Sequence, residues 1–248
     1  MTPVHTTATH RSRPLRDPFA DRASLLCRVL LQHPGQEWSV RGLAEAAGVT
    51  PMLSSDVVRQ LASARLLTTR PDGRRLLCKL RDAQGLLDFW TAHYQWNRSP
   101  AIAVAAPIID EERFVRRLGK ALGTRRWAFT LLAGAWRRVR YAPTNVLHVY
   151  VECSSIAELR AIANENRWPV EPTGRLVLMK PHYRTSVWFG MAGDGGSKPA
   201  AAPVVSDLQL VLDLWTYPER GRETALQLWR PVLRRFEGAA RGAEPRDE

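Results

Sequence analysis

Long apolar runs are missing from this 248-residue sequence. The longest mostly apolar stretch covers residues 101–109, about half of the roughly 20 residues that a membrane-spanning helix needs. The first eighteen residues are polar and contain no signal-peptide core. From these absences we expect a cytoplasmic protein with no membrane partner.

Cysteine is scarce, and its spacing carries no motif. Cys27, Cys78 and Cys153 lie far apart and form neither a C-x-x-C pair nor a cluster with histidine. The sequence therefore predicts no disulfide framework and no zinc or other metal site. We interpret the three residues as small buried apolar groups in a reducing compartment.

Recognisable catalytic and cofactor motifs are also absent. The glycine-rich residues 190–199 fit neither G-x-x-x-x-G-K-[ST] nor G-x-G-x-x-G. The six histidines are scattered, and His148 lies in an apolar strand pattern that favours a hydrogen-bonded core residue over a base. The carboxylates at residues 110–112 begin a predicted helix, where the helix dipole explains them. We predict no enzyme activity and no cofactor.

Positive charge, in contrast, is abundant. Lysine and arginine total 36 against 24 acidic residues, which gives a formal net charge of +12. Such a balance favours an anionic partner such as nucleic acid or a membrane surface. A codon bias toward arginine would also produce part of it, since only four of the basic residues are lysine.

Length and composition are typical of two folded domains. We predict a disordered tail over residues 1–18, one domain over residues 19–98, a second over residues 99–238, and a disordered tail over residues 239–248. The boundary falls at the polar residues 97–100, Asn-Arg-Ser-Pro. The expected fold class is α+β, with an N-terminal winged helix-turn-helix and a mixed α+β C-terminal domain that ends in two helices.

The N-terminal pattern predicts the winged helix-turn-helix element by element. A helix over residues 20–32 precedes a short segment at Trp38 and a helix over 39–47 that Ser39 caps. Gly48 is suited to the turn, and Thr50-Pro51 begins a second helix that ends near residue 64. Two strand-like segments follow, joined by a turn at residues 71–73. A further helix is predicted over residues 83–96.

The second of these helices would enter the major groove of DNA with its outer face. Arg59 is the best candidate for a guanine contact, and basic residues flank the hairpin tip, where a wing meets the minor groove or phosphates. A protein-docking role for the same module remains an alternative. The predicted DNA-binding residues are Thr50, Met52, Ser54, Ser55, Arg59, Arg70, Arg74 and Arg75.

The C-terminal pattern alternates between strands and helices. We predict a loop over residues 190–203. The predicted strands cover residues 101–106, 145–152, 174–180 and 185–190, and the predicted helices cover residues 110–121, 125–138, 155–166, 207–216 and 221–236.

A second basic surface is predicted between residues 113 and 151, where no acidic residue occurs. Its first four members follow helical i, i+3, i+4, i+7 spacing and would form a stripe that repels itself. DNA, RNA or an acidic protein could be its partner, and an ordinary solvated face remains an equal alternative. The nine residues are Arg113, Arg116, Arg117, Lys120, Arg125, Arg126, Arg137, Arg138 and Arg140.

The most individual segment is PVVSDLQLVLDLWTYPERGRETA, residues 203–225, in which Ser206 and Gln209 form a capping box. It resembles the C-terminal signature of AbiEi-type antitoxins of type IV toxin–antitoxin systems, S-x-L-Q-L-x-L-D-L followed by P-x-R-G-x-E-x-A. The resemblance extends more weakly over most of residues 20–236. The matching residues are Ser206, Leu208, Gln209, Leu210, Leu212, Asp213, Leu214, Pro218, Arg220, Gly221, Glu223 and Ala225.

This resemblance implies a protein with two roles. Its N-terminal domain would repress its own operon by binding inverted repeats in double-stranded DNA. Its C-terminal domain would counteract a nucleotidyltransferase-like toxin, and a direct antitoxin–toxin complex is not implied. Two alternatives remain open: a winged-helix transcription factor whose C-terminal domain senses a small ligand, and an enzyme or RNA-binding factor that uses the second basic surface.

Overall fold

The computed structural model describes residues 17–191 and 202–241. Residues 1–16, 192–201 and 242–248, which include most of the two predicted tails and of the predicted loop, lie outside the described residues. The helices are α1 (Ser24–Gln32), α2 (Val40–Ala46), α3 (Pro51–Ser63), α4 (Ala83–Thr91), α5 (Glu111–Leu122), α6 (Leu131–Val139), α7 (Ile156–Glu165), α8 (Asp207–Leu214) and α9 (Gly221–Arg241). The strands are β1 (Trp38–Ser39), β2 (Leu67–Asp72), β3 (Arg75–Leu80), β4 (Ala101–Val104), β5 (Trp127–Phe129), β6 (Leu147–Val151) and β7 (Leu176–Met179).

Local capping sets the starts of α2 and α3, as the sequence predicts. The Ser39 hydroxyl accepts a hydrogen bond from the Gly42 amide at 3.0 Å, and the Thr50 hydroxyl accepts one from the Leu53 amide at 3.3 Å. Between the two helices Gly48 takes a φ of +62°, which glycine adopts without strain. These short polar side chains satisfy amides that the first helical turn leaves free.

A three-stranded antiparallel sheet in the order β1-β3-β2 follows α3 in the chain. Asp72 pairs with Arg75 at the end of the β2–β3 hairpin, so Gly73 and Arg74 form its two-residue turn. The predicted turn at residues 71–73 therefore lies about one residue too early. Gly73 has a φ of +57°, as the tight turn requires.

The second sheet has four strands in the order β4-β7-β6-β5. Its central strands β6 and β7 are parallel, with α7 between them in sequence, and the outer strands pair antiparallel. The helix predicted over residues 125–138 is confirmed from Leu131 onward as α6, but its first part is wrong. Trp127–Phe129 pair with β6 as strand β5, and α6 begins only at Leu131. The spacing of apolar residues could not reveal that residues 127–129 pair with β6.

The strand predicted over residues 185–190 is also wrong, because Ser186–Trp188 form a buried 3₁₀ turn. The cause lies far away in sequence. The carboxylate of Asp21 accepts hydrogen bonds of 2.8–3.1 Å from the backbone amides of residues 184, 185 and 186. Three successive amides that converge on one acceptor cannot alternate between the two sides of a strand.

Helix α1 is buried on every side, since all residues from Ser24 to Leu31 are buried. Such a helix lies inside a core rather than on a surface. Phe19 joins this core by stacking on Trp90, with 5.5 Å between the ring centroids. Cys27 and Cys78 are buried as predicted, and burial raises the pKa of Cys78 to about 11.

Several predicted boundaries shift by a few residues. Helix α4 ends at Thr91 instead of residue 96, which leaves Tyr94 buried outside the helix. Helix α9 continues past the predicted end at residue 236 to Arg241 and contains Pro231. No helix within the described ranges is long and apolar enough to cross a membrane.

His148 lies on β6 and is buried, as predicted. The prediction that the buried ring is fully hydrogen-bonded is wrong. Its Nδ1 atom has no hydrogen-bond partner among the residues that the structure describes. Burial lowers the pKa of the imidazole from 6.5 to about 4. A charged ring is thus disfavoured at this position.

The stability of the protein should fall on acidification because of His148. Between pH 6.5 and about 4 the unfolded chain binds a proton that the folded protein excludes. The loss in the free energy of unfolding should reach about 3 kcal/mol. Urea denaturation of the parent and of His148→Leu from pH 4 to 8 measures it. The variant should lack this part of the pH dependence, and equal slopes for both proteins would contradict the expectation.

Candidate nucleic-acid interface and buried hydrogen-bond network

The outer side of α3 presents several of the residues predicted to contact DNA. Met52 is 63% exposed, the Arg59 side chain is 65% exposed, and Ser55 is half-buried. Thr50 is exposed, but its hydroxyl already serves as the helix cap. Arg59 lies 3.7 Å from the carboxylate of Asp56, a loose contact between solvated groups that contributes little and leaves the guanidinium accessible.

Ser54 does not belong to this exposed side, contrary to the prediction. It is fully buried, and its hydroxyl donates a hydrogen bond of 2.8 Å to the carbonyl oxygen of Val40. That bond joins the first turn of α3 to the start of α2. Ser54 therefore fixes the angle between the two helices and cannot reach a base.

Of the three arginines of the hairpin, the two without an ion pair lie at its tip. Arg70 forms a two-pronged ion pair with Glu37, at 2.9 and 2.6 Å, which lowers the pKa of the carboxyl and balances the arginine charge. Arg74 and Arg75 are exposed and have no ion-pair partner within residues 17–191 and 202–239. Because α3 packs against β2, the tip lies on the same module as the exposed side of α3.

Without Ser54 and Arg70, the remaining predicted DNA-binding residues lie on α3 and at the hairpin tip, and we call them the α3–hairpin surface. They are Thr50, Met52, Ser55, Arg59, Arg74 and Arg75.

Arg41 is a candidate that the sequence prediction missed. It is exposed and directly follows Val40, whose carbonyl oxygen receives the Ser54 hydrogen bond. A basic residue in the first turn of α2 gave no signal in the sequence, because nothing there shows that the starts of α2 and α3 touch.

The predicted second basic surface is divided and partly neutralised. On α5, Arg113 lies 3.9 Å from Asp110 and Arg116 lies 4.0 Å from Glu112. The acidic residues at the start of the helix thus moderate the repulsion that the stripe was expected to show. Arg117, Lys120, Arg125 and Arg126 are exposed, and Arg117 also stands over the Trp168 ring at 5.9 Å.

The arginines of α6 have other partners. The Arg137 guanidinium lies 3.7 Å from the centre of the Phe129 ring and is paired with Glu111, and its side chain is only 16% exposed. Arg138 lies 3.2 Å from Asp207 on α8. Arg140 stands over the Trp136 ring at 5.2 Å. The nine residues therefore do not form one continuous cationic face.

A buried hydrogen-bond network occupies the centre of the molecule. The carboxylate of Asp213 on α8 accepts hydrogen bonds from the hydroxyls of Tyr94 and Thr130, each at 2.5 Å, and of Tyr150 at 3.0 Å. A fourth bond comes from Nε2 of Gln209 at 2.9 Å. Both carboxylate oxygens thus accept hydrogen bonds from protein donors.

Gln209 extends this network to α1. Its Oε1 accepts a hydrogen bond of 2.5 Å from Nη2 of Arg28, while Nε2 donates to Tyr94 as well as Asp213. Arg28 and Asp213 are the only fully buried arginine and aspartate of the described chain, so one positive and one negative charge are linked through a neutral amide. The buried network comprises Arg28, Tyr94, Thr130, Tyr150, Gln209 and Asp213.

Burial dominates the titration of these groups. It raises the pKa of Asp213, against the opposing effect of the four hydrogen bonds, and it lowers the pKa of Arg28. The pKa values of Tyr94 and Tyr150 are raised well above their ordinary value, first by burial and then by the neighbouring carboxylate, so both phenols stay protonated and act as donors. Among the residues described, no cluster of histidine, cysteine and acidic side chains could hold a metal ion.

Replacement of Asp213 by alanine should destabilise the protein by about 3–5 kcal/mol, because it removes the acceptor of four buried donors and the counter-charge of Arg28. Urea denaturation monitored by tryptophan fluorescence measures this loss. Asp207→Ala is the matched control on the same helix, where a half-exposed carboxylate pairs with Arg138 and should matter much less. Similar losses for both variants would show that the buried network contributes no more to stability than a half-exposed ion pair.

Comparisons with known proteins bear on this site. Residues 79–230 match the family described as transcriptional regulator, AbiEi antitoxin, type IV toxin–antitoxin (TA) system. Searches of curated proteins and of solved structures gave no significant match. The matched region contains every member of the buried network except Arg28, and it excludes α2 and α3. Since it covers more than half of the sequence, the chain belongs to the AbiEi antitoxin family of transcriptional regulators of type IV TA systems.

Proposed function

We propose that this protein represses transcription of its own operon by binding double-stranded DNA, and that it also acts as an antitoxin. In this proposal residues 19–98 form a winged helix-turn-helix, with α2 and α3 as the helix pair and the β2–β3 hairpin as the wing. Residues 99–238 form the antitoxin domain. The membership in a family of transcriptional regulators and antitoxins supports both roles.

The α3–hairpin surface is the observation that favours DNA as the partner. A helix that enters the major groove must leave one side unburied, and α3 does so while its other side packs Val57, Val58 and Leu61 into the core. The capped first turn of α3 offers amides and a positive dipole end to a phosphate. Arg59 reaches out from α3, and Arg74 and Arg75 lie at the hairpin tip, where a wing contacts the backbone.

The geometry of such modules sets what the operator must look like. One helix reads one half-site, so an inverted repeat binds two copies of the protein, with half-site centres about one helical turn apart. Contacts to phosphates supply affinity and contacts to base edges supply specificity. We assign the first task to Arg74 and Arg75 and the second to Arg59, Ser55 and Met52.

The antitoxin role is assigned to the second half of the chain. Its target would be a nucleotidyltransferase-like toxin encoded beside it, counteracted without a stable complex and without catalysis by the antitoxin. The buried hydrogen bonds that join Gln209 and Asp213 to other parts of the fold support a structural role for the motif around these two residues. We expect this motif to maintain the antitoxin fold rather than to contact the toxin.

Arg59→Ala and Arg74→Ala should each weaken binding to the upstream inverted repeat, and they should do so differently. Loss of Arg59 should cost about 1–3 kcal/mol and relax the preference at one base position. Loss of Arg74 should weaken binding to all sequences alike and reduce the dependence of affinity on salt. Fluorescence anisotropy with operator and scrambled duplexes from 50 to 200 mM salt measures both effects.

Arg160→Ala, an exposed arginine on α7, is the charge-matched control and should retain the parent affinity. Ser54→Ala tests the reassignment of Ser54 as a structural residue and should leave the preference at each base unchanged. If Arg59→Ala and Arg74→Ala bind the operator as tightly as the parent, the α3–hairpin surface is not the DNA interface.

The two roles should separate in cells. With the neighbouring toxin gene expressed from an independent promoter, the double variant Arg59→Ala/Arg74→Ala should still rescue growth, whereas Asp213→Ala should not. Point variants are preferable to separate halves, because Arg28 and Tyr94 from the first half complete the network around Asp213. Failure of the parent protein to rescue growth would favour the alternative of a transcription factor that senses a small ligand.

A further inference from the structure

A cavity of about 310 Å³ lies where α1, α8 and α9 meet. Its volume is at the lower end of the range of small-molecule sites in proteins, about 300–1,000 Å³. Its polar lining consists of Arg28, Gln32, Arg138, Ser206, Asp207 and Arg235. The cavity is separate from the α3–hairpin surface, so the DNA-binding role does not account for it.

Arg28 is the unusual member of this lining. It is only 1% exposed, and its Nη2 donates to Gln209, yet Nε and Nη1 have no hydrogen-bond partner among the described residues. Buried polar groups are normally satisfied, and donors of a charged group that lack an acceptor are costly. Arg28 borders the cavity, and a planar guanidinium with two unpaired donors suits an acceptor with two oxygens, such as a phosphate or carboxylate.

The rest of the polar lining has the charge for an anion. Asp207 is balanced by Arg138 at 3.2 Å, and Arg235 on α9 is exposed without an ion-pair partner in the described part of the chain. The lining thus has three arginines against one aspartate, and the buried carboxylate of Asp213, joined to Arg28 through Gln209, lies outside it. The first turn of α8, capped by Ser206, adds a positive dipole end to the same wall.

The remaining wall is apolar and extends the cavity beyond the size of a bare anion. It is formed by Leu31, Phe189, Leu208, Trp229 and Val232. A ligand that carries an apolar or aromatic group next to its anionic end would use both parts of the lining.

We infer that this cavity binds a small phosphate monoester. Its dianionic phosphate lies between Arg28, Arg235 and the first turn of α8, and its organic group packs against Trp229 and Phe189. A phosphate monoester presents three acceptor oxygens to Arg28, Arg235 and the amides of α8, whereas a carboxylate presents only two. The site spans α1 of the proposed DNA-binding half and two helices of the second half.

Phenyl phosphate is a suitable probe, with inorganic phosphate and phenol as its two separate parts. Isothermal titration calorimetry on the full-length protein without DNA, at 0.15 M salt to suppress non-specific charge effects, compares the three. We expect phenyl phosphate to bind more tightly than inorganic phosphate, and phenol to show no binding. The absence of DNA makes the result independent of the proposed repressor role.

Arg235→Ala is the test variant, because substitution of the buried Arg28 would also disturb Gln209 and the fold. It should weaken phenyl phosphate binding about tenfold or more, as loss of one charge-assisted contact predicts. Arg234→Ala removes the same charge from an adjacent exposed position that does not line the cavity, and it should bind like the parent.

Selective weakening by Arg235→Ala supports the site. Equal behaviour of the Arg234 and Arg235 variants, binding of phenol as tight as that of phenyl phosphate, or no binding of either phosphate would overturn it.

Discussion

The carboxylate of Asp213 is held in a sealed core by four donors from four separate parts of the chain: the segment after α4, the start of α6, strand β6, and α8 itself. Removing such a group from water is costly unless every lone pair is satisfied. The requirement is specific, because each donor must arrive at the same point. This convergence constrains the second sheet, α8 and the segment after α4 to one mutual arrangement.

Through Gln209 the same constraint reaches Arg28 on α1, a helix buried on all sides. The half of the molecule proposed to bind DNA and the half proposed to act as antitoxin therefore share hydrogen bonds as well as apolar contacts. Any ligand that engages Arg28 would act on this shared region. The proposed cavity thus lies where a small molecule could influence both roles.

In contrast to the buried network, the α3–hairpin surface has charged side chains that face solvent. Its cationic residues Arg59, Arg74 and Arg75 remain exposed and contribute little to the fold. Elsewhere some arginines are matched, as Arg137 is by Glu111 and Arg138 by Asp207, while others, such as Arg117 and Arg160, are exposed without an ion pair among the described residues. Exposed charge alone therefore does not identify the interface. The placement of Arg59, Arg74 and Arg75 on one helix–hairpin module is what supports the proposed one.

Features set by neighbours in sequence could be predicted without the structure. Ser39 and Thr50 cap their helices as expected, because a cap depends on a side chain and an amide three residues away. The helices α2 and α3, the β2–β3 hairpin and the helices α5, α7, α8 and α9 follow in the same way. Helical spacing alone identified the exposed side of α3, except that it wrongly included the buried Ser54.

The predictions that failed concern features that depend on residues distant in sequence. The sequence near residues 125–130 does not show that this segment will pair with β6 as a strand. The sequence near residue 185 does not show that three backbone amides there will donate hydrogen bonds to Asp21. The burial of Ser54 and Arg28 likewise follows from contacts with Val40 and Gln209. The sequence by itself determined local helices, turns and the family motif, since these follow from short-range sterics and hydrogen bonds. Only the tertiary structure decided which polar side chains are sealed inside and which remain for a partner, because burial is a property of the packed whole.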